Sequence, residues 1–174
     1  HTIDQVLMRM LKESDNLYAE SMFYQIGAAS GNQPATAHSA RSVMNRLSEK
    51  VGLDPKRYNI ADGSGLSLYN YVTAELEVRM LRYAFKNNNI YLHLHPSLPQ
   101  AGTDGTLRKR MTSPFTQGNV YAKTGTLSGI SSLAGYCTAA NGHRLAFAII
   151  NQGLLHGRNG RSFQDRVCTI LCQP

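Results

Sequence analysis

Along the first fifty residues the apolar positions recur at helical spacing. Ile3, Val6, Leu7 and Met10 predict a helix from Ile3 to Leu11, and Leu17, Met22, Phe23 and Ile26 predict a second. Gly31-Asn32-Gln33-Pro34 breaks that pattern. Ala37 to Val51 then reads as a third helix, ended by Gly52 and followed by Asp54-Pro55. A fourth runs roughly from Thr73 to Lys86, and the Asn-rich, proline-punctuated stretch after it reads as a loop through Gln100. The final third changes character. Val120 to Gly125, Ser132 to Thr138 and His143 to Asn151 read as short strands, with Asn141-Gly142 as a hairpin signal at the second connection and Thr126 to Ser131 as a short first connection. Such strands form an antiparallel meander, and Ser162 to Leu171 closes the chain as a helix packed on one face. The predicted class is therefore α/β in the α+β sense: helices first, then sheet, then a helix.

A length of 174 residues suits one domain, 1–174, with its own core. The longest apolar stretch, Leu145 to Ile150, is strand length, far from the ~20 residues that cross a bilayer. The net charge of +7 would suit an acidic partner, either nucleic acid or an anionic cell envelope. The basic residues are scattered, Arg108-Lys109-Arg110 being the tight cluster, and no nucleic-acid-reading motif accompanies them, so no nucleic-acid partner is expected. Cys137, Cys168 and Cys172 fit neither a zinc site nor a dense disulfide framework. Buried free thiols are expected rather than a bridge from Cys137 to the C-terminal segment. The chain opens at His1 with no initiator Met and no signal-peptide pattern, so an upstream segment is expected.

Ser14-Asp15-Asn16 falls at the break between the first two helices. Ser14 and Asp15 are good N-cap residues, so taken alone the triplet merely starts a helix. Lys123-Thr124-Gly125 ends the first strand and taken alone is a strand end entering a turn. Between them lie Asp62-Gly63-Ser64-Gly65-Leu66-Ser67 and Gly102-Thr103-Asp104-Gly105-Thr106-Leu107. Paired glycines among small polar residues mark backbone with unusual dihedrals or a close neighbour. A Ser-x-x-Lys nucleophile, a Ser-Asp-Asn element and a Lys-Thr-Gly strand together are the signature of penicillin-binding proteins and class A β-lactamases. With its four motifs in this order, essentially the whole chain resembles the class C low-molecular-mass penicillin-binding proteins, the D-alanyl-D-alanine carboxypeptidase/endopeptidase family. The Asp62 to Ser67 loop is not expected in a class A β-lactamase, and no convincing deacylating-glutamate motif separates the Ser-Asp-Asn and Lys-Thr-Gly elements.

The resemblance implies part of a penicillin-binding-protein/β-lactamase-like transpeptidase fold and assigns roles within it. Ser14 would relay a proton between nucleophile and leaving group, since a hydroxyl both accepts and donates. Lys123 would raise the positive potential around it, and the Asn16 amide would hold the substrate's peptide group and nearby lysines. Thr124 and Thr126 alternate to one side of the strand, and their hydroxyls would reach the terminal carboxylate of D-alanine or penicillin. Gly125 would keep bulk out of that groove, and the Thr126 N–H would serve as an oxyanion donor. No metal or organic cofactor is implied. The implied partners are peptidoglycan stem peptides, with β-lactams as inhibitors, in the bacterial periplasm or cell envelope.

One departure matters. No serine in the chain has a lysine three residues on, and the nearest look-alike, Thr106 to Lys109, lies inside another motif. The chain is therefore expected to be a C-terminal part of such an enzyme, inactive in isolation. Its rival is a non-catalytic peptidoglycan-binding or regulatory module. In the related fold, N-terminal strands complete the sheet beside the strand His143 to Asn151, so an open edge there, and a homodimer formed through it, are also expected.

Overall fold

The computed structural model describes residues 1–31 and 34–174. Thr2 and Gln5 cap one another, each side chain accepting the other's N–H (3.3 and 3.1 Å), and this starts α1 (Ile3–Lys12). Asp15 accepts from the N–H groups of Leu17 and Tyr18 to open α2 (Asn16–Ala29). Thr36 caps α3 (Ala37–Lys50), and Thr73 caps α4 (Ala74–Lys86). Part of the break expected at Gly31–Pro34, namely Asn32 and Gln33, lies outside the described residues.

A helix, α5 (Asn88–Ser97), occupies the segment expected to be a loop. Asn87 ends α4 by donating its side-chain amide to the Tyr83 carbonyl (2.7 Å) and is also the residue before α5. Tyr91, Leu94 and His95 share one face at helical spacing. The Tyr91 ring meets Phe85 and Tyr136 edge-on at 5.1 and 5.4 Å, and the His95 ring lies 4.2 Å from Tyr121. This aromatic packing overrides the weak helix propensity of asparagine and the backbone bond that Pro96 forgoes in the last turn, where the Ser97 hydroxyl donates to the His93 carbonyl at 2.7 Å.

The strands β1 (Tyr121–Leu127), β2 (Ile130–Thr138) and β3 (Arg144–Asn151) form the expected antiparallel meander in the order β1-β2-β3. The closing helix, α6 (Gly157–Cys172), begins five residues earlier than the sequence pattern suggests. Gly157 and Gly160 are poor helix formers, but packing on the sheet carries their turn. Ala122, Leu133, Cys137 and Phe147 point to the α6 side and form the core with Cys168, Cys172, Leu107 and Val120. All three cysteines are free and buried, and burial pushes the Cys137 and Cys168 thiols up to about 12. The opposite face of the sheet meets α4, where the Tyr136 hydroxyl donates to the Leu81 carbonyl at 2.7 Å. No helix among the described residues is long and apolar enough to cross a membrane.

The loop Asp62 to Ser67 ties the helical part together. Asp62 accepts from the N–H groups of Gly65 (2.8 Å) and Ser67 (2.9 Å), from the Asn70 amide (2.9 Å) and from the Ser64 hydroxyl (3.2 Å). Burial works against its charge, but these donors outweigh it and hold the carboxyl below its usual range. Glu20 on α2 accepts from the N–H groups of Gly63 and Ser64 at 2.8 and 2.9 Å. A Cβ at Gly63 would come within 2.4 Å of Phe23 Cβ and 2.6 Å of the Ala19 carbonyl, so the loop lies directly on α2. Asp62→Ala should lower stability by roughly 1–3 kcal/mol in urea denaturation at neutral pH. Because the folded carboxyl is held below the unfolded value of 3.8, that difference should shrink as pH falls below it. A loss under about 0.5 kcal/mol would show that the loop is not held by Asp62.

Candidate active site

Ser14 sits between the last turn of α1 and the cap of α2, with φ at +57°, left-handed backbone that a serine adopts at a cost of roughly 1–2 kcal/mol. Asp15, the actual cap, receives the helix N–H groups and also the Arg9 guanidinium at 3.0 Å. The Ser14 hydroxyl is therefore not consumed in capping and reaches across to the sheet. There the Lys123 ammonium donates to Ser14 Oγ at 2.7 Å and to the Thr124 carbonyl at 2.7 Å. The two residues are 109 positions apart in sequence. Burial pushes the Lys123 amine down to about 8.

Alternation along β1 explains how its side chains divide. Ala122, Thr124 and Thr126 point to the α6 side, while Tyr121, Lys123 and Gly125 point toward the helices. The Ala122 N–H donates outward to the Pro99 carbonyl at 3.0 Å, away from β2. The N–H groups of Thr124 and Thr126, two and four residues on, point to that same outer edge. Beyond Ala122 no strand pairs with this edge among the described residues, leaving an open edge that carries two outward backbone donors, with the Lys123 amine on one face and the threonine hydroxyls on the other.

The structure brings Ser14, Lys123 and Thr124 together at this edge and leaves Thr126 exposed upon it. Gly125 stands opposite Ser132 on β2, and a Cβ there would lie 2.3 Å from Ser132 Oγ, so its small size makes room for the neighbouring strand's hydroxyl. Asn16 is exposed at the first turn of α2, and its amide bonds to no group among the described residues, so it does not engage Lys123 here. The Thr106 to Lys109 look-alike does not reproduce a serine–lysine pair. The Thr106 hydroxyl instead accepts from that of Thr124 at 3.0 Å. Thr106 is the site residue to which sequence reasoning gave no role, although its Gly-Thr-Asp-Gly-Thr-Leu setting marked the segment.

The family model for D-Ala-D-Ala carboxypeptidase 3 (S13) matches residues 1–173. The D-alanyl-D-alanine carboxypeptidase DacB of Haemophilus influenzae is 36% identical over 157 residues, which cover 89% of this chain and 33% of that protein. The crystal structure of penicillin binding protein 4 (dacB) from Haemophilus influenzae superposes with a TM-score of 0.89 at 32% identity, covering 98% of this chain and 40% of that one. The same protein is known in complex with a β-lactam. The TLA-3 extended-spectrum β-lactamase shares the fold alone, at 18% identity and a TM-score of 0.72. The chain thus spans about a third of the length of the curated relative it matches. With the Ser-Asp-Asn turn meeting the Lys-Thr-Gly strand inside this fold, the chain belongs to the D-Ala-D-Ala carboxypeptidase 3 (S13) family.

Proposed function

We propose that residues 1–174 form the C-terminal part of a serine-type D-alanyl-D-alanine carboxypeptidase acting on peptidoglycan stem peptides, with endopeptidase action on D-alanyl cross-links as its companion. The observation that carries the reading is the 2.7 Å contact between Lys123 Nζ and Ser14 Oγ at the open edge of β1. The nucleophilic serine comes from a Ser-x-x-Lys segment outside these residues. It attacks the penultimate carbonyl, and the Thr126 N–H stabilises the oxyanion together with the nucleophile's own N–H. Ser14 relays the proton released by the nucleophile to the departing D-alanine nitrogen, gaining one as it gives one, and Lys123 holds that hydroxyl in place and supplies positive potential. Thr124 and Thr126 receive the terminal carboxylate, and Asn16 turns to the substrate's peptide group when the groove is filled. Water then hydrolyses the acyl-enzyme. A β-lactam, like the one bound by the Haemophilus protein, would follow the first half of this path and stop.

The location that fits this substrate is the periplasm or cell envelope. At the far edge of the sheet, β3 pairs with β2 on one side and with no strand on the other among the described residues, so that outer edge is open to pairing. A homodimer of the isolated chain through β3 follows from that.

Intact-mass analysis after incubation with a penicillin tests the central reading. A polypeptide that also carries the Ser-x-x-Lys segment should gain one stable adduct, and the 174-residue chain should gain none. No adduct on the longer form would favour the non-catalytic binding module. Lys123 gives a second test through pH. The folded amine, at about 8, lies below its unfolded value of 10.5, so between these values the unfolded chain binds more protons. Relative to Lys123→Met, the wild-type chain should gain stability from pH 8 to 10.5 and show a constant offset below that. An offset constant throughout would mean the amine is not buried. Sedimentation of the isolated chain should show a concentration-dependent dimer, and a monomer throughout the micromolar range would refute pairing through β3.

A further inference from the structure

The segment from Gln100 to Arg110 touches both halves of the site. Asp104 takes the Lys12 ammonium on one carboxylate oxygen and the Gln100 N–H on the other at 2.9 Å. Lys12 is the last residue of α1, two before Ser14. Gly105 follows with φ at +53°, and a Cβ there would lie 2.8 Å from the Lys12 carbonyl, so the loop rests on the end of α1. On its other side the Gly102 N–H is shared by the carbonyls of Leu107 (3.1 Å) and Arg110 (2.9 Å), and Leu107 is fully buried in the core. Arg110 grips Asp165 on α6 at 2.7 and 3.1 Å and Gln164 at 3.0 Å. The buried Gln164 amide in turn donates to Ser131 Oγ (3.1 Å) and Asn151 Oδ1 (3.0 Å), on β2 and β3. Thr106 thus stands on backbone fixed from α1, from the core and from α6, while its own side chain is exposed beside the Thr124 hydroxyl.

We infer that Thr106 is a positioning residue for carboxylate recognition, acting through Thr124; this rests on the reading of the β1 edge as the groove that takes the D-alanine carboxylate. The Thr124 hydroxyl has one proton, and in the empty groove it donates to Thr106 Oγ1 at 3.0 Å. When a carboxylate enters, the Thr124 proton turns to the anion and the Thr106 hydroxyl turns to donate to Thr124. No proton changes owner. One neutral hydrogen bond reverses, and one charge-assisted bond, the stronger kind, is gained. Without Thr106, the Thr124 hydroxyl would rotate freely and lose the donor that polarises it. Thr106 is exposed, so removing its hydroxyl orphans no buried group. Its loss should therefore appear in anion binding and not in folding.

The experiment titrates the 15N-labelled 174-residue chain with N-acetyl-D-alanine and, separately, with N-acetyl-D-alaninamide, following the backbone resonances of Thr124 and Thr126. The acid should bind and the amide should bind far more weakly. Thr106→Val should weaken acid binding by about 5-fold, the equivalent of one net hydrogen bond, with an unchanged melting temperature. Thr106→Ser should restore the wild-type affinity. Equal affinity of wild type and Thr106→Val for the acid would overturn the inference, as would a wild-type chain that binds neither probe or does not tell acid from amide. Penicillin acylation of the nucleophile-bearing form separates this from the functional reading. Acylation together with equal acid affinity of wild type and Thr106→Val removes the role of Thr106 alone, whereas the expected titration without acylation keeps the carboxylate site and removes the peptidase.

Discussion

A lysine ammonium taken out of water needs acceptors held in place, and the arrangement around Lys123 follows from that requirement. Its two acceptors, Ser14 Oγ and the Thr124 carbonyl, come from opposite ends of the chain. The carbonyl is supplied by the lysine's own strand at an edge where no neighbour competes for it. The hydroxyl is harder to supply, because a serine at a helix start ordinarily turns back to cap the helix. Here Asp15 does the capping, and the left-handed turn at Ser14 aims its hydroxyl at the sheet. The backbone strain at Ser14 and the desolvation of Lys123 are both stability costs at the proposed site, and the surrounding packing offsets them.

That offset comes from two distinct sources. On the α6 side an apolar core containing Leu133, Phe147 and the three cysteines fixes the sheet, so that Ala122 anchors the strand from which Lys123 projects the other way. On the helical side the order is largely polar. Asp62 and Glu20 tie the glycine loop to α2, and Asp104 ties the end of α1 to the loop that carries Thr106. Hydrogen bonds of this kind add little net stability individually, but they specify position, which is what a groove built from three separate segments requires.

Much of this was legible in the residues. Helical spacing located α1 to α4, and β-type runs with Asn141-Gly142 located the meander, because in those segments local pattern and burial agree. The α5 segment failed for a physical reason: asparagines and Pro96 argue locally for a loop, while Tyr91 and His95 join an aromatic cluster that exists only once Phe85, Tyr121 and Tyr136 are assembled. In the site, the Ser-Asp-Asn and Lys-Thr-Gly elements could be named from the sequence, and Ser14 could be paired with Lys123 by resemblance. The division of labour in which Asp15 caps the helix while Ser14 reaches the sheet, and the meeting of Thr106 with Thr124, could not. Each depends on backbone direction or on a contact between distant segments, and neither leaves a periodic trace.

The account rests on Ser14 and Lys123 acting as one unit. A double-mutant cycle on the rate of penicillin acylation, in the nucleophile-bearing polypeptide, measures that directly with Ser14→Ala, Lys123→Met and the pair together. If the two act as a unit, either substitution should slow acylation by on the order of 10²–10⁴-fold, and the double variant should be about as slow as the slower single. If the two losses multiply instead, Ser14 and Lys123 contribute independently, and the contact between them is not what drives the chemistry.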